Sequence, residues 1–161
     1  MSPTFTIIIP VYNVAPYLEE CLDSVRAQTD ADWEARCIDD GSTDASTHLL
    51  DTYARFDPRI HITHQRNAGV SSARNRALMG ARGNWVLFLD SDDIYIHKDV
   101  LAWYQEQVIG INDNRIVFGE VTRFLVGSEA LEKPSRQPHI EVFDIRMEMS
   151  SRALFGGFCA V

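Results

Sequence analysis

The sequence predicts an α/β fold in which a mostly parallel sheet is sandwiched by helices. Short runs rich in β-branched and aromatic residues alternate with stretches whose apolar residues recur at helical spacing. Each apolar run is followed by a loop rich in Gly, Asp, Asn or Ser. Strand-helix units in this rhythm imply right-handed crossovers, which place helices on both faces of the sheet. A chain of 161 residues, 45% hydrophobic and with a mean hydropathy of -0.15, can bury one ordinary domain.

The elements are predicted in order. Phe5 to Ile9 reads as a buried strand stopped by Pro10. Pro16 opens a helix carrying Tyr17, Leu18, Cys21, Leu22 and Val25 on its apolar side. Trp33 to Ile38 is a second strand, Asp39 to Asp44 a turn, and the stretch to about Phe56 a helix with Leu49, Leu50 and Tyr53 facing inward. Arg59 to Thr63 alternates polar residues with Ile60 and Ile62, as a third strand would. Gly69 to Arg82 follows as a helix with Val70, Ala73, Ala77, Leu78 and Ala81 on one stripe. Trp85 to Leu89 is five apolar residues long and reads as a buried fourth strand.

Lys98 to Val108 is a further predicted helix containing Leu101, Tyr104 and Val108, and Arg115 to Thr122 a strand. Gly127 to Pro138 is polar with two prolines, which predicts a surface loop, and Leu154 to Phe158 is apolar without a period. Trp33, Trp85 and Trp103 are expected in the core.

A net charge of -8 and a pI near 5.0 argue against a nucleic-acid partner, whose phosphates such a chain would repel. Cys21, Cys37 and Cys159 are too few and too widely spaced for a disulfide framework or a zinc site, so reduced thiols are expected. No apolar run approaches the ~18 residues of a membrane span, and no leader pattern precedes Phe5. The expected location is the cytoplasm, with association at the inner face of the membrane and oligomerisation left open.

In an open parallel sheet, ligands bind where loops leave the carboxyl ends of the strands. Polar constellations follow each of the four apolar runs. After the first comes Pro10-Val11-Tyr12-Asn13, where Tyr12 either covers the sheet edge or offers a face for a nucleobase. After the second, Asp39 and Asp40 are turn formers or acceptors for the imide N–H of uracil, and Ser42 or Asp44 is expected to cap the next helix. After the third, Asn67-Ala68-Gly69 opens a helix bearing Arg74, suited to a surface ion pair or to a diphosphate beside the helix N-terminus. After the fourth, Asp90-Ser91-Asp92-Asp93 is either a helix-capping turn or a site for a divalent cation with phosphate oxygens. Carboxylates that close raise one another's pKa unless a positive partner intervenes.

The histidines, His61, His64 and His97 among them, lack metal-ligand spacing and are expected to be surface or packing residues. A dinucleotide dehydrogenase would need Gly-x-Gly-x-x-Gly after the first strand, where Pro10-Val11-Tyr12-Asn13 stands. A haloacid-dehalogenase phosphatase would carry its Asp-x-Asp after the first core strand, and a sugar nucleotidyltransferase would begin with a glycine-rich basic loop.

Five motifs together resemble the family 2 glycosyltransferases of the GT-A fold. They are Ile8-Ile9-Pro10-Val11-Tyr12-Asn13, Gln28-Thr29, Ile38 to Asp44, Asn67-Ala68-Gly69 with Ala73-Arg74-Asn75, and Leu89-Asp90-Ser91-Asp92-Asp93. The resemblance covers roughly residues 5 to 110. It implies a Rossmann-like nucleotide-diphospho-sugar transferase fold in a shortened form, a single domain over 1–161. Residues 5–110 would be the nucleotide-sugar-binding core and 111–161 the incomplete start of the acceptor side.

The implied function is inverting transfer of a sugar from a nucleotide-diphospho-sugar, a UDP-sugar first, to a hydroxyl of a saccharide or lipid-linked acceptor in bacterial cell-surface polysaccharide or oligosaccharide synthesis. The resemblance implies that Pro10 and Tyr12 line the base pocket with Asn13 at its rim. Asp40, or else Asp39, would meet the uracil edge, and Asn67 and Arg74 would contact the nucleotide. Asp90, Ser91 and Asp92 would bind ribose and a Mn2+ or Mg2+ ion, with Asp93 as a further metal ligand. The general base is expected beyond Val161, because Glu120, Glu129, Glu132, Glu141, Asp144 and Glu148 include no Glu-Asp pair. The alternative is a catalytically incomplete nucleotide-sugar-binding fragment or pseudoenzyme.

Overall fold

The structure is a computed structural model that describes residues 2–110 and the backbone of residues 115–119 and 140–144. Its elements are β1 (Phe5–Val11), α1 (Ala15–Arg26), β2 (Trp33–Asp39), α2 (Ser46–Phe56), β3 (Ile60–His64), α3 (Val70–Gly80), β4 (Trp85–Phe88), α4 (Val100–Val108), β5 (Arg115–Gly119) and β6 (Ile140–Asp144). They fall into two compact units, residues 1–98 and 99–161.

The first unit holds a parallel sheet in the order β3-β2-β1-β4. The chain steps outward from β1 through β2 to β3, then returns past β1 to add β4. Right-handed crossovers in opposite directions set α1 and α2 on one face and α3 on the other. In keeping with this, α1 packs on α2, and α3 lies across β1 and β2.

All seven residues of β1 are buried, as a central strand covered on both faces requires. Ile8 and Ile38 pack against Ala73 and Ala77 of α3, with Val86 alongside. Side chains alternate along a strand, so Phe5, Ile7, Ile9 and Val11 face the α1–α2 layer. The inward stripe of α1 is Leu18, Cys21, Leu22 and Val25, while Tyr17 is half exposed. On α2, Leu50 and Tyr53 are buried and Leu49 is only partly so. On α3 the stripe narrows to Ala73 and Ala77, with Val70 and Leu78 exposed.

Three predicted boundaries move for identifiable reasons. Pro10 does not end β1, which runs on to Val11 and stays in register with β2, Pro10 opposite Ile38. Leu89 N donates to Ile8 O, and the next rung of a parallel ladder would be donated by residue 10 to Leu89 O. Proline has no N–H to give, so Pro10 ends pairing with β4 while pairing with β2 continues.

The second case is β4, which among the described residues pairs with β1 alone and is four residues long, each only partly buried or exposed. Leu89, just past it, is buried. Trp85 is accordingly half-buried, as is Trp103, and only Trp33 is a core tryptophan.

Third, α3 stops at Gly80 because Arg82 is drawn to the sheet. Arg82 N and Nε donate to the two oxygens of Glu34 at 2.9 and 2.7 Å, and Gly83 N donates to Thr6 Oγ1 at 2.8 Å. Glu34 is 1% exposed and also accepts from Thr6 Oγ1 and Arg36 Nε. Burial alone would raise its pKa, but the hydrogen bonds from Arg82 and Thr6 and the Arg36 charge outweigh this and lower it to about 2. Similarly, β3 begins at Ile60, because Arg59 pairs with Asp57 and lies over the Trp33 ring at 3.8 Å.

In the second unit, α4 buries Leu101 and Val108, and β5 pairs antiparallel with β6. The β6 strand is an addition to the elements expected from sequence, although Ile140, Val142 and Phe143 after Pro138 are strand-forming residues. Residues 120–122 of the predicted strand, the predicted loop at 127–138, the apolar 154–158 and Cys159 lie outside the described residues. So do the side chains of the acids from Glu120 to Glu148. Cys21 and Cys37 are buried free thiols. Among the described residues, no helix is long and apolar enough to cross a membrane.

Candidate functional site

The direction of winding reverses between β1 and β4, so the topological switch point of the sheet lies at their carboxyl ends. Pro10 opens the same spot by ending the β1–β4 ladder. The segment after β1 places Tyr12, half exposed, and Asn13, whose φ of 52° is rare outside glycine. That conformation is held by the loop after β2: Asn13 N donates to Ser42 Oγ at 3.1 Å, and Thr43 N donates to Asn13 Oδ1 at 2.7 Å. Asp44 accepts from Ser46 N at the start of α2 and from Ala15 N at the start of α1. The predicted capping acid therefore serves two helices, while Ser42 turns to Asn13.

Asp39 and Asp40 are both 3% exposed. Asp39 accepts from Ser42 N, Thr47 Oγ1 and His64 Nδ1 at 2.9, 2.7 and 2.9 Å. Burial would raise its pKa, but these bonds prevail and lower it. Asp40 accepts from Gln65 Nε2, Ala68 N and Gly69 N at 2.7, 2.9 and 2.8 Å, pinning the start of α3. Each carboxylate thus takes three bonds, and a carboxylate offers about four lone-pair positions. Gly41 between this pair and Ser42 has φ 77°, and a Cβ there would lie 2.9 Å from Asn67 N. Only glycine lets the two loops approach this closely.

On α3, Arg74 Nη2 donates to Asp90 Oδ1 at 2.6 Å. The structure thus brings the arginine of α3 to the acidic turn after β4. Arg74 Nε is buried with no hydrogen-bond partner among the described residues. Asp90 O accepts from Asp93 N, closing the turn; Ser91 is buried, whereas Asp90, Asp92 and Asp93 are exposed. Burial and then the charges of Asp92 and Asp90 raise the pKa of Asp93. The charge contribution, second to burial, has the sign anticipated from sequence.

Among the described residues, no three His, Cys, Asp or Glu side chains converge as a metal-holding group. The chemistry of these donors, carboxylate oxygens exposed on one turn, is of the kind a hard divalent cation takes.

Several contributors carried no sequence signal of their own. Gln65 and His64 hold the acidic pair. Cys21 Sγ lies 3.8 Å from Asp90 O as a weak donor, its pKa pushed up to about 12 by burial and by the Asp93, Asp92 and Asp90 charges. The Gln28-Thr29 motif has a structural role: Gln28 Nε2 donates to His97 O, and Thr29 N and Oγ1 to Lys98 O. With Tyr95 N on Ser24 Oγ, these bonds staple the stretch after the acidic turn to the end of α1.

The sequence profile described as glycosyl transferase family 2 matches residues 6–158. The uncharacterized glycosyltransferase EpsJ of Bacillus subtilis is 46% identical over 93 residues, which are 58% of this chain and 27% of EpsJ. A PGL/p-HBAD biosynthesis glycosyltransferase of Mycobacterium tuberculosis is 37% identical over 121 residues, 74% of this chain and 47% of that protein. Among solved structures, S. aureus TarS 1–349 in complex with UDP is similar with a TM-score of 0.64 at 28% identity, covering 70% of this chain and 34% of that one. The mannosyltransferase PcManGT from Pyrobaculum calidifontis, in complex with GDP-Man and Mn2+, matches with a TM-score of 0.64 at 28% identity over 71% of this chain and 35% of that one. The chain spans less than half the length of each of these four proteins.

Proposed function

The chain belongs to glycosyl transferase family 2, and from that premise we propose that it binds a UDP-sugar at the carboxyl edge of its sheet for transfer of the sugar to an acceptor hydroxyl. The observation that carries this is the Arg74–Asp90 pair at the switch point, where a cation and an acidic turn meet on the ligand-binding edge. The UDP complex of TarS, similar over 70% of this chain, supports the choice of nucleotide. The setting proposed is synthesis of a bacterial surface polysaccharide, in line with the putatively named teichuronic acid biosynthesis glycosyltransferase TuaG of Bacillus subtilis, 42% identical over 93 residues.

In this reading Tyr12 stacks on the base beside Pro10 and Asn13. Asp39 or Asp40 accepts the imide N–H with its remaining lone pair, without giving up its loop contacts. Asn67 and Arg74 meet the diphosphate, Arg74 through its guanidinium charge. Asp90 and Ser91 face the ribose. Asp90, Asp92 and Asp93 would hold Mn2+ or Mg2+, which when bound supplies Lewis-acid stabilisation of the departing nucleoside diphosphate. Residues 5–110 are assigned to the donor and 111–161 to the acceptor side, with inversion at the anomeric carbon.

Calorimetry with UDP in the presence and absence of Mn2+ tests the site. Binding is expected, tightened by the metal. Asp92→Ala should abolish the metal-dependent gain, and Arg74→Ala should weaken UDP roughly tenfold, as loss of a charge-assisted hydrogen bond predicts. No UDP binding, or an unchanged metal response in Asp92→Ala, refutes the assignment.

A further inference from the structure

His64, the last residue of β3, lies between two carboxylates. Its Nδ1 donates to Asp39 Oδ2 at 2.9 Å, and its Nε2 is 3.3 Å from Asp51 Oδ1. Carboxylates only accept, so making both bonds requires a proton on each ring nitrogen. The surroundings favour that imidazolium: the hydrogen bond to Asp39, and secondarily Asp51, raise its pKa against the opposing effect of burial. Asp39 on β2 and Asp51 on α2 are the charged groups facing the ring.

Asp39 connects this ring to the edge of the site. Its other oxygen accepts from Ser42 N, Ser42 Oγ accepts from Asn13 N, and Asn13 follows Tyr12 directly. A continuous series of bonds therefore runs from His64 to the aromatic residue assigned to the base. The next residue, Gln65, holds the other acid: its N donates to Asp39 O and its Nε2 to Asp40 Oδ1.

We infer that His64 is a positioning residue of the donor site, which as an imidazolium clamps Asp39 and through the Ser42 turn fixes the Asn13–Tyr12 segment that receives the base. This rests on the nucleotide-binding reading above. A neutral ring carries no charge and can donate to only one of its two carboxylates, so the charge-assisted hold on Asp39 weakens when the second proton leaves.

The test is calorimetry of the full chain with UDP-glucose and Mg2+ between about pH 5.5 and about pH 8.5, with NMR titration of the histidine ring protons. UDP-glucose is the probe because its diphosphate is esterified at both ends and keeps its charge over this range. Wild-type affinity should fall roughly three- to tenfold as pH rises through the His64 titration, the size expected for one hydrogen bond. Asp51→Asn removes a charge that raises the His64 pKa, so it should move both the NMR and the affinity midpoints to lower pH. His64→Gln should give a flat profile. A purely structural role would lower the melting temperature of His64→Gln and leave the pH dependence in place. A flat wild-type profile, an unchanged midpoint in Asp51→Asn, or a wild-type fall retained in His64→Gln each overturns the inference. Absence of binding at every pH instead overturns the nucleotide site itself.

Discussion

Glu34 is a carboxylate held almost out of solvent by donors from three directions: Thr6 on the neighbouring strand, Arg36 on its own, and Arg82 past the end of α3. Its pKa falls from 4.5 to about 2, which corresponds to about 3 kcal/mol of stability. A lowered carboxylate pKa stabilises above the unfolded value and loses that stabilisation as pH falls through the folded value. Glu34 should therefore contribute fully above about pH 4.5 and progressively less toward about pH 2. Urea denaturation of Glu34→Gln should show a loss of about 3 kcal/mol at neutral pH and a shallower acid dependence than wild type. Equal acid slopes in the two proteins would rule this account out.

The acids of the candidate site were legible because they follow apolar runs whose ends are visible in the sequence. Their partners were not. Glu34 to Arg82 and Asp39 to His64 are separated by 48 and 25 residues, and they meet only because of which strands are neighbours and in what register. The same reason hid His64, which reads from the sequence as a surface or packing histidine.

Periodicity located β1 to β4 and α1 to α4 well, because each is a short run with one chemical character. It misjudged ends and edges, where the deciding facts are tertiary. Nothing local shows that Trp85–Phe88 joins the sheet beside β1, or that Arg82 is drawn off α3 toward a carboxylate on β2. Pro10 shows this limit most sharply, since the residue that ends pairing on one side leaves it intact on the other. Replacing it by alanine restores an N–H opposite Leu89 O. Pro10→Ala should change stability by less than about 1 kcal/mol, because one added hydrogen bond offsets the extra freedom of the unfolded chain. In hydrogen exchange the amide that Pro10→Ala introduces should be protected, and UDP affinity should fall as the β1 and β4 ends draw together. Free exchange of that new amide would show that the ladder does not extend.

Over the whole molecule, the parallel architecture followed from the alternation of strands and helices, but the strand order did not, because sequence gives no sign of where β4 returns. In the second unit α4 and β5 were legible, and β6 was missed for want of a long periodic run around it. All the proposed donor-site residues lie in the first unit, and the stretch at 94–98 is bonded to α1 within it. A fragment of residues 1–110 should therefore fold and keep UDP affinity within about threefold of the full chain, a difference under about 1 kcal/mol. Failure of the folded fragment to bind would place part of the donor site in the second unit.

The pairing of Asp39 with His64 and of Asp40 with Gln65 also constrains which length changes this protein can tolerate. Successive strand residues point to opposite faces, so one residue inserted inside Ile60–His64 would turn the histidine away from Asp39 and displace the glutamine. Residues added to the Asp57–Arg59 connection would leave that phase untouched but break the Asp57–Arg59 pair that sets the start of β3. The five residues Ile60–His64 thus form a reading frame that indels cannot cross without disabling the edge of the site.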